Sequence, residues 1–241
     1  MRTYLIAGFS SIVLGASFAN GDALLLLNNA QAAQEEAPEK SALVEYSTGM
    51  YVRTEFGANF LLDIDEAEGN GRWKMDPGFD VGVSFGYRFT KILGVEVQTG
   101  FAWNAFHNYT QGPKPPEGAG GNLYQVPIMA NFVVTLPLSE GDYEPLFGRG
   151  AELLFLGGAG GEWGSATADF QGTEQFTLND WTYRVQAGMA LNGYLAPNTK
   201  FGIYFHYARV GDFTGNTPGG ADYKLSGLNN FAVGLDVSFR F

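Results

Sequence analysis

Two histidines, His107 and His206, are the side chains of this 241-residue chain best suited to proton transfer near neutral pH, and the chain has no cysteine. Without thiols there is no disulfide scaffold, thiolate metal site, Cys nucleophile or lipid-anchored N-terminus. His206 is followed by Tyr207 and Ala208. No serine stands two residues on to make the His-x-Ser spacing expected of a lipid-acting hydrolase. Alternation aims His206 to the same side as Gly202 and Tyr204, so it reads as a hydrogen-bonded interior histidine. His107 reads as a solvated loop residue.

Asp63, Asp65, Glu66 and Glu68 suggest a calcium loop, yet Ala67 stands at the fifth ligand position, Glu68 where glycine is needed, and Lys74 where the bidentate Glu belongs. An acidic, solvated loop fits better, with loose bridging of divalent ions left open. No catalytic residue, cofactor or metal site follows from these groups, and no enzyme is expected. Charge narrows the classes further. Fourteen Lys and Arg face 25 Asp and Glu, a net charge of -11, which repels phosphate backbones and removes nucleic acid from the partners.

The elements holding these groups begin with an address label. Arg2, the apolar stretch from Tyr4 to Ala19, and Ala30-Gln31-Ala32 read as a signal peptide over 1–32, with Ala19 a second cleavage point. Residues 33–48, carrying Glu35, Glu36 and Glu39, form a periplasmic leader. The barrel domain spans 49–241, contains no apolar run of about 18 residues, and no further domain is expected after Phe241.

From Tyr51 onward the apolar period is two. Eight runs follow: from Val52 to Leu62, Phe79 to Phe89, Leu93 to Trp103, Tyr124 to Leu136, Phe147 to Phe155, Trp181 to Leu191, Phe201 to Tyr207, and Phe231 to Phe241. Their connections alternate: long at 64–77, 106–122, 157–179 and 210–229, short at 90–92, 139–144 and 196–199. This predicts an all-β fold, an eight-stranded antiparallel up-and-down transmembrane β-barrel with both termini periplasmic. Pro127 removes a ladder bond inside the fourth run, so a bulge or an early end is expected there. Arg149 falls on the apolar face of the fifth and must snorkel or mark a shifted register.

Volume decides which face points outward. The apolar face collects Phe56, Phe85, Phe101, Phe132, Phe205 and many more rings, too many for the narrow interior of eight strands. The other face is mostly Gly, Ala and Ser with scattered ions. The rings therefore face lipid. Phe79, Trp103, Tyr124, Trp181 and Tyr207, with Phe60, Phe155 and Phe231, fall at the outer interface; Phe89 and Phe201, with Tyr87, Phe147, Phe239 and Phe241, fall at the inner one. Arg53, Glu55, Asp80, Arg88, Glu96, Glu152, Arg184, Asp236 and Arg240 face the lumen, where opposite charges must pair, for example Glu152 with Arg184.

The C-terminal run, Phe231-Ala-Val-Gly-Leu-Asp-Val-Ser-Phe-Arg-Phe241, together with Val126-Pro127-Ile128-Met129-Ala130-Asn131 and Glu144-Pro145-Leu146-Phe147-Gly148-Arg149-Gly150, resembles the outer-membrane β-barrel family of the OmpA/OmpX type over residues 50–241. That resemblance implies that Leu235, Val237, Phe239 and Phe241 form the signal read by the barrel-assembly machinery. Arg149 departs from the small residue usual at its position. The resulting expectation is a non-enzymatic, monomeric protein of a Gram-negative-type outer membrane, in contact with its lipid and lipopolysaccharide. It would serve membrane integrity and surface interaction through mobile loops (112–121, 157–172, 211–220). The alternative is a small, porin-like channel or passive transporter.

Overall fold

The computed structural model describes residues 48–62, 64–66, 71–111, 117–138, 150–170 and 173–241. The signal peptide, nearly all of the leader, Asp63, Glu68, the 139–144 turn, Phe147 and Arg149 lie outside the described residues.

Every regular element among the described residues is a strand: β1 (Gly49–Leu61), β2 (Ile64–Glu66), β3 (Gly71–Met75), β4 (Gly78–Arg88), β5 (Leu93–Gln111), β6 (Glu117–Pro137), β7 (Glu152–Phe170), β8 (Thr173–Ala196), β9 (Thr199–Val210), β10 (Phe213–Asn216), β11 (Asp222–Ser226) and β12 (Asn229–Arg240). Twelve strands thus replace the eight runs read by alternation. All pairings are antiparallel.

The pairings form two tiers. In the first, next to the chain's C-terminus, β5 pairs with β4, β4 with β1, β1 with β12, β12 with β9, β9 with β8, β8 with β7, β7 with β6, and β6 with β5. In the second, beyond it, β3 continues beside β5, β2 beside β3, β11 beside β2, β10 beside β11, and β8 beside β10. The four short strands prolong β1, β4, β9 and β12 beyond local breaks.

Those breaks explain the difference in count. Successive buried hydrophobic side chains among the described residues are Leu61 and Ile64, Val210 and Phe213, and Leu225 and Leu228, a spacing of three where a strand gives two. Alternation therefore changes phase at each break, and a strict period of two loses the continuation. At the last of them Gly227 has φ of +76°, a left-handed turn that glycine adopts without steric cost.

The expected long connections are accordingly mostly strand. Residues 157–170 belong to β7, 173–179 to β8, 106–111 to β5 and 117–122 to β6, and 213–216 form β10. The mobile loops expected at 157–172 and 211–220 are therefore corrected to ordered sheet over those stretches. Pro127 produces neither a bulge nor an early end. The β5–β6 ladder skips from Thr99↔Ile128 to Ala102↔Gln125 in one register, and Thr99 Oγ1 donates to the Pro127 carbonyl at 2.9 Å instead.

The tiers have opposite polarity. In the first, Phe56 (63%), Val97 (59%), Ile128 and Leu235 are exposed, while Arg53, Glu55, Glu96 and Glu152 on the other face are buried. In the second, Ile64, Trp73, Phe176, Phe213 and Leu225 are buried, and Asp65, Arg72, Lys74, Thr177 and Thr214 are exposed. Burying each large apolar side chain there contributes about 1.5–3 kcal/mol, provided the surroundings are water.

Candidate functional site

The polar face of the first tier carries three linked clusters. Nearest the C-terminus, Glu152 on β7 accepts from Lys200 Nζ at 2.6 Å and from Arg88 at 3.4 and 3.5 Å, and the Lys200 ammonium stands 5.0 Å from the Tyr194 ring. In the middle, Arg53 on β1 pairs with Glu55 and, at 2.6 Å, with Glu96, which also accepts the Tyr51 hydroxyl at 2.7 Å. Gln98 donates to Glu55 at 2.8 Å, while Asn131 and Gln186 donate to the Gln98 amide oxygen at 3.0 and 2.6 Å. Toward the second tier, Arg184 pairs with Glu162 at 2.5 Å, Gln125 donates to Glu162, and Tyr204 donates to Asp80 at 2.5 Å.

These contacts settle the expected Glu152–Arg184 pair, which does not form. Glu152 lies across from Asn192 and Arg184 across from Gly160, well apart along the same ladder. Each meets a partner that sequence reading does not name, Lys200 and Glu162 respectively. Alternation leaves Lys200 at the edge of a turn and Glu162 in a loop. A period-two count through 157–170 would have found Glu162, since it shares a face with Glu152.

Asp236 is buried beside Asn192, whose amide donates to its carboxylate at 2.9 and 3.2 Å once the nitrogen is turned toward it. Arg240 is half-buried across from Tyr51 and lines a void of about 20 Å³ with Arg88, Glu152 and Lys200. A second void of about 30 Å³ is lined by Asp80, Gln98, Arg184, Gln186 and His206. A water needs roughly 10–15 Å³ of such space, so these voids suit one or two waters each.

His206 is buried as expected, but its Nε2 makes no hydrogen bond to a described residue and lies 3.6 Å from Glu55. His107 is corrected from loop to strand: it is exposed on β5, with Nδ1 3.1 Å from Asp76. Asp65 pairs with Arg72 at 3.0 Å and Glu66 accepts from Tyr109 at 3.1 Å. Among the described residues no group of three His, Asp or Glu gathers to hold a metal.

Two apolar clusters are buried as well: a small one in the first tier, with Val133, Leu154, Leu156 and Ala190, and a larger one in the second. Phe176 stacks on Tyr223 at 4.3 Å, and Trp73 meets Phe106 and Phe176 edge-on at 5.2 and 5.4 Å. The Trp73 indole N–H donates to the Tyr223 hydroxyl at 2.9 Å, so the one polar pair inside is satisfied.

On the exposed face the aromatics form bands across neighbouring strands. Trp103 stands opposite both Phe79 and Tyr124, and Phe231 opposite both Phe60 and Tyr207. Trp181 stands opposite Trp163. Phe155, expected in this band, is instead near the other end: it opposes Val134, which opposes Leu93 beside the Thr90–Ile92 turn. β7 runs from Glu152 to Phe170, and Trp163, opposite Trp181, takes the place assigned to Phe155. Phe89, Phe201, Phe239 and the terminal Phe241 stand on the exposed face at the first-tier end, and Leu235 and Val237 share that face.

The chain is similar to several solved outer-membrane proteins. The outer membrane protein OprG from Pseudomonas aeruginosa aligns with a TM-score of 0.50 at 14% identity, over 83% of this chain and 100% of that one. Neisserial surface protein A aligns at 0.47 and 15%, over 80% and 97%. A major outer membrane protein from Thermus thermophilus aligns at 0.48 and 14%, over 80% and 100%. No curated protein matches the sequence. The outer membrane protein beta-barrel domain family matches residues 23–241, and with this pairing and an apolar exterior the chain belongs to that family and is a protein of the outer membrane.

Proposed function

We infer that the eight long strands close into one barrel, with the β5–β6 pairing as the seam and the four short strands extending its wall. The first tier then lies in hydrocarbon, which only a closed sheet tolerates, because every backbone group must be paired internally. An even number of crossings leaves both termini on the periplasmic side. Phe79, Trp103, Tyr124, Trp181 and Tyr207 mark the outer headgroup level, and Phe89 and Phe201 the inner one. The second tier stands in water outside the cell, where an apolar core and a polar exterior are the stable arrangement.

The function best supported is that of a sealed, non-enzymatic barrel, monomeric, which maintains the membrane and presents a rigid wall to the surroundings. Its partners are outer-membrane lipid and lipopolysaccharide, and the assembly machinery that reads Leu235, Val237, Phe239 and Phe241. One observation carries the sealed lumen: Arg53, Arg88, Arg184 and Lys200 each meet a carboxylate, Asp236 meets the Asn192 amide, and the voids among them suit one or two waters. Planar-bilayer recording of the purified protein tests this. No large, steady openings are expected; their appearance would favour the small-channel reading.

A further inference from the structure

On four strands of the first tier, charge on the exposed face stands at one described position, at the membrane boundary. Among the described residues, Arg209 is the single Lys, Arg, Asp or Glu on the exposed face of β1, β4, β9 and β12. It stands opposite Val185 on β8 and Asn229 on β12, one exposed position beyond Tyr207. Tyr207 packs on Phe231 at 5.0 Å and donates to Asn229 at 2.8 Å, fixing the ring below. On the other side, the Tyr183 ring lies against Gly211, where a Cβ would come within 2.6 Å of it, and the Gly211 N–H donates to the Tyr183 carbonyl at 2.8 Å. Tyr183 itself is exposed.

The nearby acids are already engaged. Asp212 pairs with Lys224 at 2.7 Å, and Asp180 accepts from the Thr214 N–H at 2.9 Å, the Trp181 N–H at 2.8 Å and the Thr214 hydroxyl. Among the described residues no carboxylate pairs with Arg209. Arg209 is exposed, one outward position beyond Tyr207 and one before the Gly211–Tyr183 contact, and lacks the anion that a guanidinium forks.

We propose that Arg209 binds a phosphate group of an outer-leaflet lipid, with Tyr183 and Tyr207 shaping the seat. This rests on the reading of the first tier as embedded in hydrocarbon. Bidentate Arg–phosphate contacts at a low-dielectric rim are stronger than in open water. They also give a strongly acidic protein a specific hold on an anionic leaflet.

The test compares bisphosphorylated lipid A with the same lipid stripped of phosphate, each added to the purified full chain in neutral detergent. Binding is read by native mass spectrometry and by the temperature at which gel migration changes. The wild type is expected to prefer the phosphorylated lipid by about tenfold, the scale of one charge-assisted contact. Arg209→Gln is expected to lose that preference and Arg209→Lys to keep part of it, with unheated migration unchanged in both. Equal binding of the two lipids by the wild type, or an undiminished preference in Arg209→Gln, would overturn the proposal. So would inorganic phosphate that protects as well as the lipid. Migration insensitive to heat in the wild type would instead overturn the embedded barrel, and the proposal with it.

Discussion

The two tiers share the strands β5 and β8 and an antiparallel pairing, yet the polarity of their faces is exchanged. Below the Trp103 band the buried face of β5 reads Glu96, Gln98, Gly100, Ala102 and Asn104; one step beyond, it reads Phe106. On β8 it reads Phe176 and Leu178 before passing to Arg184, Gln186 and Asn192. Along β5 and β8 a single strand thus changes which side is apolar while its inward face stays the same. Solvent, rather than secondary structure, accounts for the exchange: rings point toward whichever side lacks water.

The largest effects are expected where a tier loses its own kind of core. Trp73→Ala removes the indole at the centre of the second tier and should cost about 3–5 kcal/mol. Limited proteolysis would then cut the second-tier segments while the first tier stays protected and the protein stays in the membrane. Cleavage spreading equally into both tiers would mean that they are one cooperative unit. Glu152→Ala strands Arg88 and Lys200 and should cost a similar 3–5 kcal/mol or slightly less; it is expected to lower the temperature of the migration change and to leave second-tier proteolysis as in the wild type.

Next in size is one substitution placed on both exteriors. Val97→Arg sets a cation against mid-wall hydrocarbon and should cost ~2–4 kcal/mol, measured by urea unfolding in lipid vesicles. Thr177→Arg, equally exposed but in the second tier, should change stability by less than about 0.5 kcal/mol. Equal costs at the two positions would erase the distinction between the tiers.

The smallest effect is a pH dependence at their junction. Hydrogen bonds from Thr214, side chain first, hold the Asp180 carboxyl below its usual pKa. A depressed folded value gives stability that is present above the unfolded pKa, about 3.9, and is lost as pH falls through the folded one. Proteolysis between β8 and β10 should therefore increase only in strongly acidic buffer, and Asp180→Asn should flatten that dependence.

Much of the first tier was legible because apolar side chains on the exposed face and ions on the buried one follow strict alternation. Arg53, Glu55, Glu96, Glu152 and Asp236 could be placed on the buried face from parity alone. Which ion meets which could not. Pairing across a barrel depends on the stagger of strands far apart in sequence, and Arg53 reaches Glu96 across β4. The second tier was lost for a different reason. Its strands are short, its phase shifts at 62–63, 211–212 and 227–228, and its polarity is reversed, so Ile64, Trp73 and Phe213 looked like loop residues. Glycines at 157, 158, 160 and 161 blurred β7 in the same way. Parity does not single out Arg209, because it follows Phe205 and Tyr207 on the exposed face of β9.

The most direct test uses the absence of native cysteine. Val97→Cys and Thr177→Cys, each in otherwise unaltered protein inserted in lipid vesicles, are exposed to a membrane-impermeant maleimide. Thr177→Cys is expected to label within the dead time of the assay, and Val97→Cys to stay unlabelled until detergent is added. Labelling of both at the same rate would contradict a boundary of hydrocarbon and water between the tiers.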